Sequence, residues 1–240
     1  MQALSEADVL SIWSTGRGRH PIDRALLILK AARPGASDDA LSALPIPQRD
    51  MQLGAVRQAL FGSMLQVWAR CPTCQEELDV DIPLEVLVPD AGQIGDGDPV
   101  RNGFVIATAS GPLRGRLPTS MDLAAALATA DPKEALLTRC IDGFSGLSTV
   151  DRDGCRDAAT QAMADTDPVV RAVRLACDQC ESVWRHPFDL AAFLWRELEV
   201  EATRLMGEIH ALARGYGWRE TDAIAAGPAR RRVYLEMLGV

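Results

Sequence analysis

Apolar side chains recur every three or four residues over most of the chain, which is the spacing of one face of an α-helix. In the N-terminal part, this spacing predicts helices at about 6–14, 21–32, 38–43 and 48–69. In the C-terminal part, it predicts a long helix from Pro187 to about Arg214 and short helices at about 219–225 and 228–238. The pattern therefore favours a mainly helical protein.

Capping residues predict further helices between these two groups. Thr119 or Ser120 can cap a helix that runs to about residue 130. The Asp131-Pro132 pair combines a capping carboxylate with a proline at the first helical position, and Asp167-Pro168 repeats that combination. The middle of the chain is therefore predicted to form helical hairpins.

A second pattern, the alternation of polar and apolar residues, predicts a small sheet. It covers residues 77–82 and is typical of a half-buried strand. Residues 104–109 and 113–117 predict a β-hairpin, and the Gly, Pro and Asp residues within 89–102 predict a loop before it. The predicted fold class is α+β, mainly α, with a small antiparallel sheet between helical regions.

The composition is typical of a globular protein and disfavours nucleic-acid-binding and membrane proteins. Of the 240 residues, 48% are hydrophobic and only 5% are aromatic, as in a globular protein rich in Ala and Leu. The net charge of -8 argues against broad binding of nucleic acid, which requires a basic surface. The N-terminus lacks the pattern of a signal peptide, and no apolar run reaches the roughly 20 residues that span a bilayer. We therefore expect a cytoplasmic protein whose thiols stay reduced.

Four of the six cysteines form two CxxC pairs in different halves of the chain. The pairs are Cys71 with Cys74 and Cys177 with Cys180, and 102 residues separate Cys74 from Cys177. Two thiolates three residues apart can bind one zinc ion, and two such pairs fill its tetrahedral shell. A filled shell leaves no position for water, so the sequence predicts a structural zinc site that joins the two halves, in a split zinc-ribbon-like arrangement.

The alternatives to a shared zinc site are two disulfides, two separate metal sites, or a redox CxxC. An offset of 106 residues aligns both cysteine pairs, and each pair is followed by a β-prone stretch, a proline and an apolar run. This internal likeness favours two half-ribbons that face each other around one metal. A redox CxxC would begin a helix, whereas Cys71 ends a helical pattern and precedes a strand.

The remaining chemically active residues are interpreted as structural. His20 precedes a helix and is expected to be a cap or a packing residue, and His210 is expected to be a surface or packing residue. His186 follows the second CxxC and could replace one cysteine at the zinc. Cys140 and Cys155 are expected to be buried apolar groups. No motif for nucleophilic or phosphate chemistry is present, so we expect no enzymatic activity.

Arginines and aromatic residues suggest surfaces that bind a partner protein, because Trp, Tyr and Arg dominate such interfaces. One candidate surface is an N-terminal loop, and the other lies in the C-terminal helices. The candidate residues are Arg17, Arg19, Arg24, Tyr216, Trp218, Arg230, Arg231, Arg232 and Tyr234. A local packing cluster among the terminal helices is the alternative for the aromatic residues.

Several segments resemble a known family. They are Gly18 to Leu26, the Arg49-Asp50 helix start, the segment that leads into Cys71-Pro72-Thr73-Cys74, Leu117 to Leu123, and the C-terminal segments 209–218 and 228–235. In these segments the chain resembles the baseplate hub or hub-assembly chaperone family of contractile-tailed phages and phage-tail-like contractile injection systems. The resemblance spans residues 10–125 and 177–238.

The resemblance implies a non-enzymatic component or assembly factor of a contractile-tail baseplate. Its partners would be other baseplate, hub, spike or tube proteins, and the protein could become part of a phage or phage-tail-like particle. A zinc-ribbon adaptor that binds nucleic acid or a transcription or packaging partner is the competing function. A zinc hydrolase, which would need an open metal position, is a third.

The sequence predicts four regions along the chain. They are an N-terminal helical region (1–70), a first zinc knuckle with the small sheet (71–118), a helical hairpin region (119–176), and a second knuckle with a long helix and C-terminal docking helices (177–240).

Overall fold

The computed structural model describes residues 1–89, 103–108 and 111–239. Helices dominate it, as the sequence predicts. They are α1 (Glu6–Gly16), α2 (Pro21–Ala32), α3 (Asp38–Ser42), α4 (Ile46–Phe61), α5 (Leu84–Leu87), α6 (Ser120–Leu127), α7 (Pro132–Cys140), α8 (Thr149–Thr166), α9 (Leu190–Tyr216) and α10 (Glu220–Leu238). No helix in these ranges is both long enough and apolar enough to cross a bilayer.

The described strands form three separate two-stranded antiparallel sheets. The pairs are β1 (Met64–Arg70) with β2 (Glu77–Pro83), β3 (Gly103–Thr108) with β4 (Gly111–Arg116), and β5 (Ala172–Ala176) with β6 (Val183–Pro187). The predicted strand at 77–82 and the predicted hairpin are confirmed as β2 and β3–β4. Apart from residue 89, the predicted loop over 89–102 lies outside the described residues, as do the hairpin positions 109 and 110.

The chain divides into two compact units. One contains Met1–Arg33 with Ala191–Val240, and the other contains Pro34–Leu190. The first unit thus combines α1 and α2 with nearly all of α9 and with α10. The second unit contains all three sheets and both CxxC pairs. The four regions proposed from the sequence remain a prediction.

Local signals for helix starts are confirmed in both units. His20 caps α2, where its Nδ1 accepts a hydrogen bond of 3.3 Å from the Ile22 N–H, and Pro21 occupies the first turn. Thr119 caps α6 and Asp131 caps α7. The two predicted C-terminal helices are the two parts of α10, which kinks at Gly227 with φ 73°.

The predicted helix over 48–69 is wrong after Phe61. α4 ends at Phe61, Gly62 follows with φ 85°, and the chain continues as β1. Along β1, buried residues such as Leu65 and Val67 alternate with exposed ones such as Trp68, which is a period of two. A strand therefore leads into Cys71, where the sequence predicted a helix.

Two further corrections concern the second knuckle. Asp167-Pro168 ends α8 and does not begin a helix, and the following residues form β5, a strand that the sequence did not predict. Proline cannot continue the helix, because it has no N–H and disfavours helical geometry in the preceding residue. The long helix begins at Leu190 and not at Pro187, because residues 183–187 belong to β6.

The segment from β3 to α8 lies in the chain between the two CxxC hairpins, and we call it the insertion. It has its own core. Apolar side chains of β3 and α7 pack with the short 3-10 turn Phe144–Gly146 and with α8. Its buried members include Ile106, Leu137, Phe144 and Cys155. This core gives the sheet β3–β4 a buried face, which a two-stranded sheet cannot supply by itself.

Asp122 is the centre of a buried ion-pair network in the same insertion. Its carboxylate accepts hydrogen bonds from Arg116 at 2.6 and 3.1 Å, from Arg139 at 3.0 Å and from the Thr119 backbone at 3.0 Å. Burial alone would raise the pKa of Asp122, but the bonds from Arg116 and Thr119 outweigh it and hold the pKa well below its ordinary range. The ionised carboxylate therefore stabilises the fold.

We expect Asp122→Asn to lower the free energy of unfolding by about 1–2 kcal/mol at neutral pH, since both arginines are partly solvent-exposed and screened. A depressed pKa contributes stability that is present above the pKa of the unfolded chain, about 3.9, and is lost as the pH falls below it. The gap between wild type and variant should therefore stay constant from pH 8 to about 5 and narrow below about 4. Urea unfolding across this range measures the gap. A gap that widened in acid would contradict the assignment.

Candidate metal centre

Each CxxC pair lies at the tip of a β-hairpin in the unit Pro34–Leu190. In the first hairpin, β1 and β2 pair from Met64 opposite Pro83 to Arg70 opposite Glu77. In the second, β5 and β6 pair from Ala172 opposite Pro187 to Ala176 opposite Val183. The strands therefore deliver both cysteine pairs to the hairpin tips.

The two tips have the same backbone geometry. The Cys71 N–H donates to the Glu76 carbonyl at 2.8 Å, and the Cys177 N–H donates to the Ser182 carbonyl at 2.9 Å. The residue after each second cysteine bonds back to the first cysteine's carbonyl, at 3.0 Å for Gln75 and 2.9 Å for Glu181. The 106-residue offset found in the sequence thus relates two structurally equivalent turns.

Gln75 and Glu181 adopt left-handed backbone conformations, with φ 65° and 56°. Such angles favour glycine, and they persist in other residues only where the surroundings hold them. Residue type alone does not indicate this conformation, since neither position is Gly or Asn. The tight turn brings both sulfurs of each pair to the same side of the hairpin tip.

The four sulfurs form one cluster. The Sγ atoms of Cys71 and Cys180 are 3.6 Å apart, those of Cys74 and Cys177 are 3.5 Å apart, and all four lie within 4.8 Å of one another. A tetrahedral metal with bonds of about 2.3 Å places neighbouring sulfurs about 3.8 Å apart, whereas a disulfide needs about 2.0 Å. All six cysteines are free thiols. The geometry is therefore compatible with one shared metal site and not with disulfides or two separate sites.

The electrostatics of the cluster also suit a cation. A hydrogen bond from the backbone of Cys74 lowers the pKa of the Cys71 thiol to about 6. The backbone of Glu76 acts in the same direction on Cys74, but desolvation and bonds to the neighbouring thiols outweigh it and raise its pKa to about 12. The Cys71 thiol therefore ionises readily, whereas the Cys74 thiol resists ionisation beside the other sulfurs. A bound cation would remove this resistance.

Contacts around the sulfurs join the two hairpins directly. The Thr73 hydroxyl donates to the Ser182 hydroxyl at 2.9 Å, from one hairpin to the other. Cys71 and Cys177 are buried, whereas Cys74 is exposed and Cys180 is intermediate. Sequence reasoning missed the Thr73–Ser182 contact, because single hydroxyl residues carry no distinctive spacing.

The second hairpin is fixed to the rest of the unit through its base. Arg171 precedes β5 and pairs with Asp50, a fully buried carboxylate on α4 that also pairs with Arg49. The Val170 N–H donates to the Leu87 carbonyl at 2.8 Å. The hairpin base is therefore held by α4 and α5, independently of the sulfurs.

The other cysteines and His186 lie elsewhere. Cys140 and Cys155 are buried, as expected, and burial raises the pKa of both thiols, to about 11 for Cys140. His186 lies in β6 opposite Val173 and is not a member of the sulfur cluster.

The N-terminal arginines predicted to bind a partner occupy the turn between α1 and α2. Arg17 lies over the Trp13 ring at 4.8 Å, and Arg19 is exposed. Arg24 lies over the Trp195 ring at 4.5 Å, and its Nε donates to the Gly16 carbonyl at 3.1 Å. Arg24 thus has an internal role, while Arg17 and Arg19 remain accessible.

The C-terminal aromatic residues pack on one another. Ring centroids are 5.8 Å apart for Tyr216 and Trp218, 5.6 Å for Tyr216 and Tyr234, and 4.8 Å for Trp218 and Tyr234. We call these three residues the aromatic cluster. The predicted local packing is present, and a docking role for the cluster stays a prediction.

Arg231 does not lie on a docking surface, contrary to the sequence-based prediction. It is only 1% exposed, and its guanidinium pairs with Glu6 at 2.5 Å and with Glu208 at 2.9 Å. Its neighbours Arg230 and Arg232 are exposed. Helical geometry explains the difference, because successive residues point about 100° apart around the axis.

Comparison with models of protein families, with characterised proteins and with solved structures finds no match to this chain. The four-thiol cluster is therefore the strongest functional feature of the described residues.

Proposed function

We propose that Cys71, Cys74, Cys177 and Cys180 bind one structural zinc ion. The supporting observation is the four-sulfur cluster, whose separations match the edges of a tetrahedral thiolate site. Soft thiolate donors in this geometry suit Zn²⁺. Four protein ligands leave no position for water or substrate, so the metal would stabilise the fold and would not catalyse a reaction.

The proposed zinc would hold together the two ends of a long insertion. The hairpins carrying the ligands flank β3, β4, α6, α7 and α8 in the chain. Joining the ends of a segment of this length restricts the unfolded chain strongly, because the entropy of loop closure grows with loop length. The ion would therefore fix how the two hairpins face each other.

We further propose that the zinc-stapled protein is a non-enzymatic component or assembly factor of a contractile-tail baseplate and acts through contacts with hub, spike or tube proteins. The proposal is supported by the family resemblance of segments that form the α1–α2 turn, the start of α6 and the end of α9. A rigid scaffold loses less entropy when it docks, which suits an assembly role. The net charge of -8 disfavours the nucleic-acid adaptor.

The aromatic cluster provides a test of this role. We expect Trp218→Ala to reduce the yield of complete contractile particles by about tenfold or more, because buried aromatic anchors carry much of the energy of an interface. The measurement is a particle count by electron microscopy, with the whole tail gene set expressed alongside the variant.

The control is Val200→Ala, which truncates a side chain of α9 that is 67% exposed. Circular dichroism of both purified variants would show whether the fold is intact. A normal yield from Trp218→Ala would remove the aromatic cluster from the docking surface. A normal yield from a set lacking this gene would overturn the baseplate role itself.

A further inference from the structure

The outer face of the first hairpin carries an exposed tryptophan beside acidic side chains. Trp68 on β1 is 54% exposed and lies directly opposite Asp79 on β2. Asp81 is two residues further along the same strand and shares this exposed face. Among the described residues, neither aspartate side chain forms an ion pair. A large apolar ring and two unpaired carboxylates thus share one small surface, which we call the Trp68 face.

The outer face of the second hairpin carries two arginines that face each other. Arg174 on β5 lies directly opposite Arg185 on β6, and both are exposed. Neither side chain pairs with an acidic group in the described part of the chain. Like charges in directly opposite positions destabilise a sheet. This surface, which we call the arginine face, also includes Val183, a valine that is 49% exposed.

The two faces occupy equivalent positions of the two hairpins. The offset of 106 residues that relates the cysteine pairs also relates Trp68 to Arg174 and Asp79 to Arg185. One cross-strand position therefore carries a Trp–Asp pair in one hairpin and an Arg–Arg pair in the other. The same backbone geometry presents opposite charges.

We propose that the Trp68 face of one copy of this protein binds the arginine face of a second copy. Arginine guanidinium groups pair with carboxylates and stack on indole rings, so Arg174 and Arg185 match both Asp79 and Trp68. Within the first hairpin, Arg70 already shows this mode of contact, since it lies 5.4 Å from the Trp68 ring and pairs with Glu77.

A second copy is the partner that the charges specify. Each copy carries both faces, so the contact can repeat from one copy to the next, and each contact relieves the repulsion between the two arginines of one copy. Opposite charges that meet across the interface would also fix the register in which the two copies bind. This proposal rests on the hairpin faces and does not depend on the baseplate role.

The test is sedimentation velocity of the purified protein, isolated without added metal, over a concentration series at low and high salt. We expect reversible self-association that weakens with salt. Two charge-reversal variants, Arg174→Glu/Arg185→Glu and Asp79→Arg/Asp81→Arg, should each weaken it by about tenfold or more, since each then opposes like charges. An equimolar mixture of the two variants should restore association, because each then offers the other complementary faces.

The matched control for the arginine variant is Lys133→Glu/Arg196→Glu, which makes the same change in net charge at exposed positions of α7 and α9. It should associate like the wild type. A wild type that stays monomeric at every concentration would overturn the proposal. So would unchanged association in both reversal variants, or a mixture that fails to associate. A monomer that instead binds a basic peptide would assign the Trp68 face to a different partner.

Discussion

Replacement of Cys177 by serine is expected to remove the bound metal and to abolish cooperative unfolding of the unit Pro34–Leu190. Serine cannot replace a thiolate as a ligand of zinc. The remaining three thiolates would not complete the tetrahedral shell of four ligands. Structural zinc sites contribute about 10–16 kcal/mol of apparent binding energy in model peptides. Because whole domains are stable by only about 5–15 kcal/mol, this loss is decisive.

The measurement combines elemental analysis of protein purified without added metal with denaturant unfolding. The wild type should contain one zinc per chain. The matched control is Cys155→Ala, which removes a buried thiol from the apolar cluster of the insertion and leaves the four ligands in place. It should retain the metal and unfold cooperatively.

Three outcomes would contradict the presence of the metal site, its ligands or the identity of its ion. A wild type without metal and with six free thiols would remove the metal site altogether. A Cys177→Ser variant that retained full zinc would assign the metal to other ligands. Iron in place of zinc would keep the four-thiol site and change the identity of its ion, since tetrahedral thiolate sites suit both metals.

Replacement of Arg231 by alanine is expected to lower the free energy of unfolding by about 2–3 kcal/mol, because it removes the buried partner of the partly exposed carboxylates of Glu6 and Glu208. Glu6 would lose both bonds that it receives from Arg231. Glu208 would keep its pair with Arg204. The buried stem of the arginine also contributes packing, which alanine cannot replace.

Urea unfolding of the purified variant measures this loss. Arg230→Ala is the matched control, because it removes the neighbouring arginine from an exposed position of the same helix. Its effect should stay within about 0.5 kcal/mol. Arg231→Lys should be intermediate, since lysine keeps the charge but not the planar fork. Equal effects of the two alanine variants would show that Arg231 is not a structural centre.

These two predictions separate the supports of the two units. The ion pairs of Arg231 connect α1, α9 and α10 within the first unit. The proposed zinc connects two hairpins within the second. Loss of one support should therefore leave the amide hydrogen-exchange protection of the other unit largely unchanged. Hydrogen exchange resolved by segment measures this protection.

Features that depend on a few neighbouring residues were predicted from the sequence alone. They include the CxxC turns, the caps at Thr119 and Asp131 and the break at Gly227. The 106-residue offset was also visible, because it compares two such local patterns. The same locality explains why the strand β2 and the hairpin β3–β4 were predicted, since their alternation and turn residues lie within one short window.

The failures occurred where short segments satisfy two periods at once. Met64, Val67 and Trp68 fit the spacing of a helix face, and the preceding helix supports that interpretation. Pairing with β2 decides otherwise, because it satisfies the backbone groups of 64–70 and buries Leu65 and Val67 on one side. β5 is only five residues long and has no turn residues of its own to mark it.

The sequence by itself determined the kind of chemistry, four thiols in two equivalent turns within a mainly helical chain. Tertiary structure alone decided that the turns meet with their sulfurs within 4.8 Å. It also decided that Arg231 is buried while Arg230 is exposed, and that opposite charges occupy equivalent hairpin faces. The physical reason is that these features depend on contacts between residues far apart in the chain, whereas sequence patterns report only on neighbours.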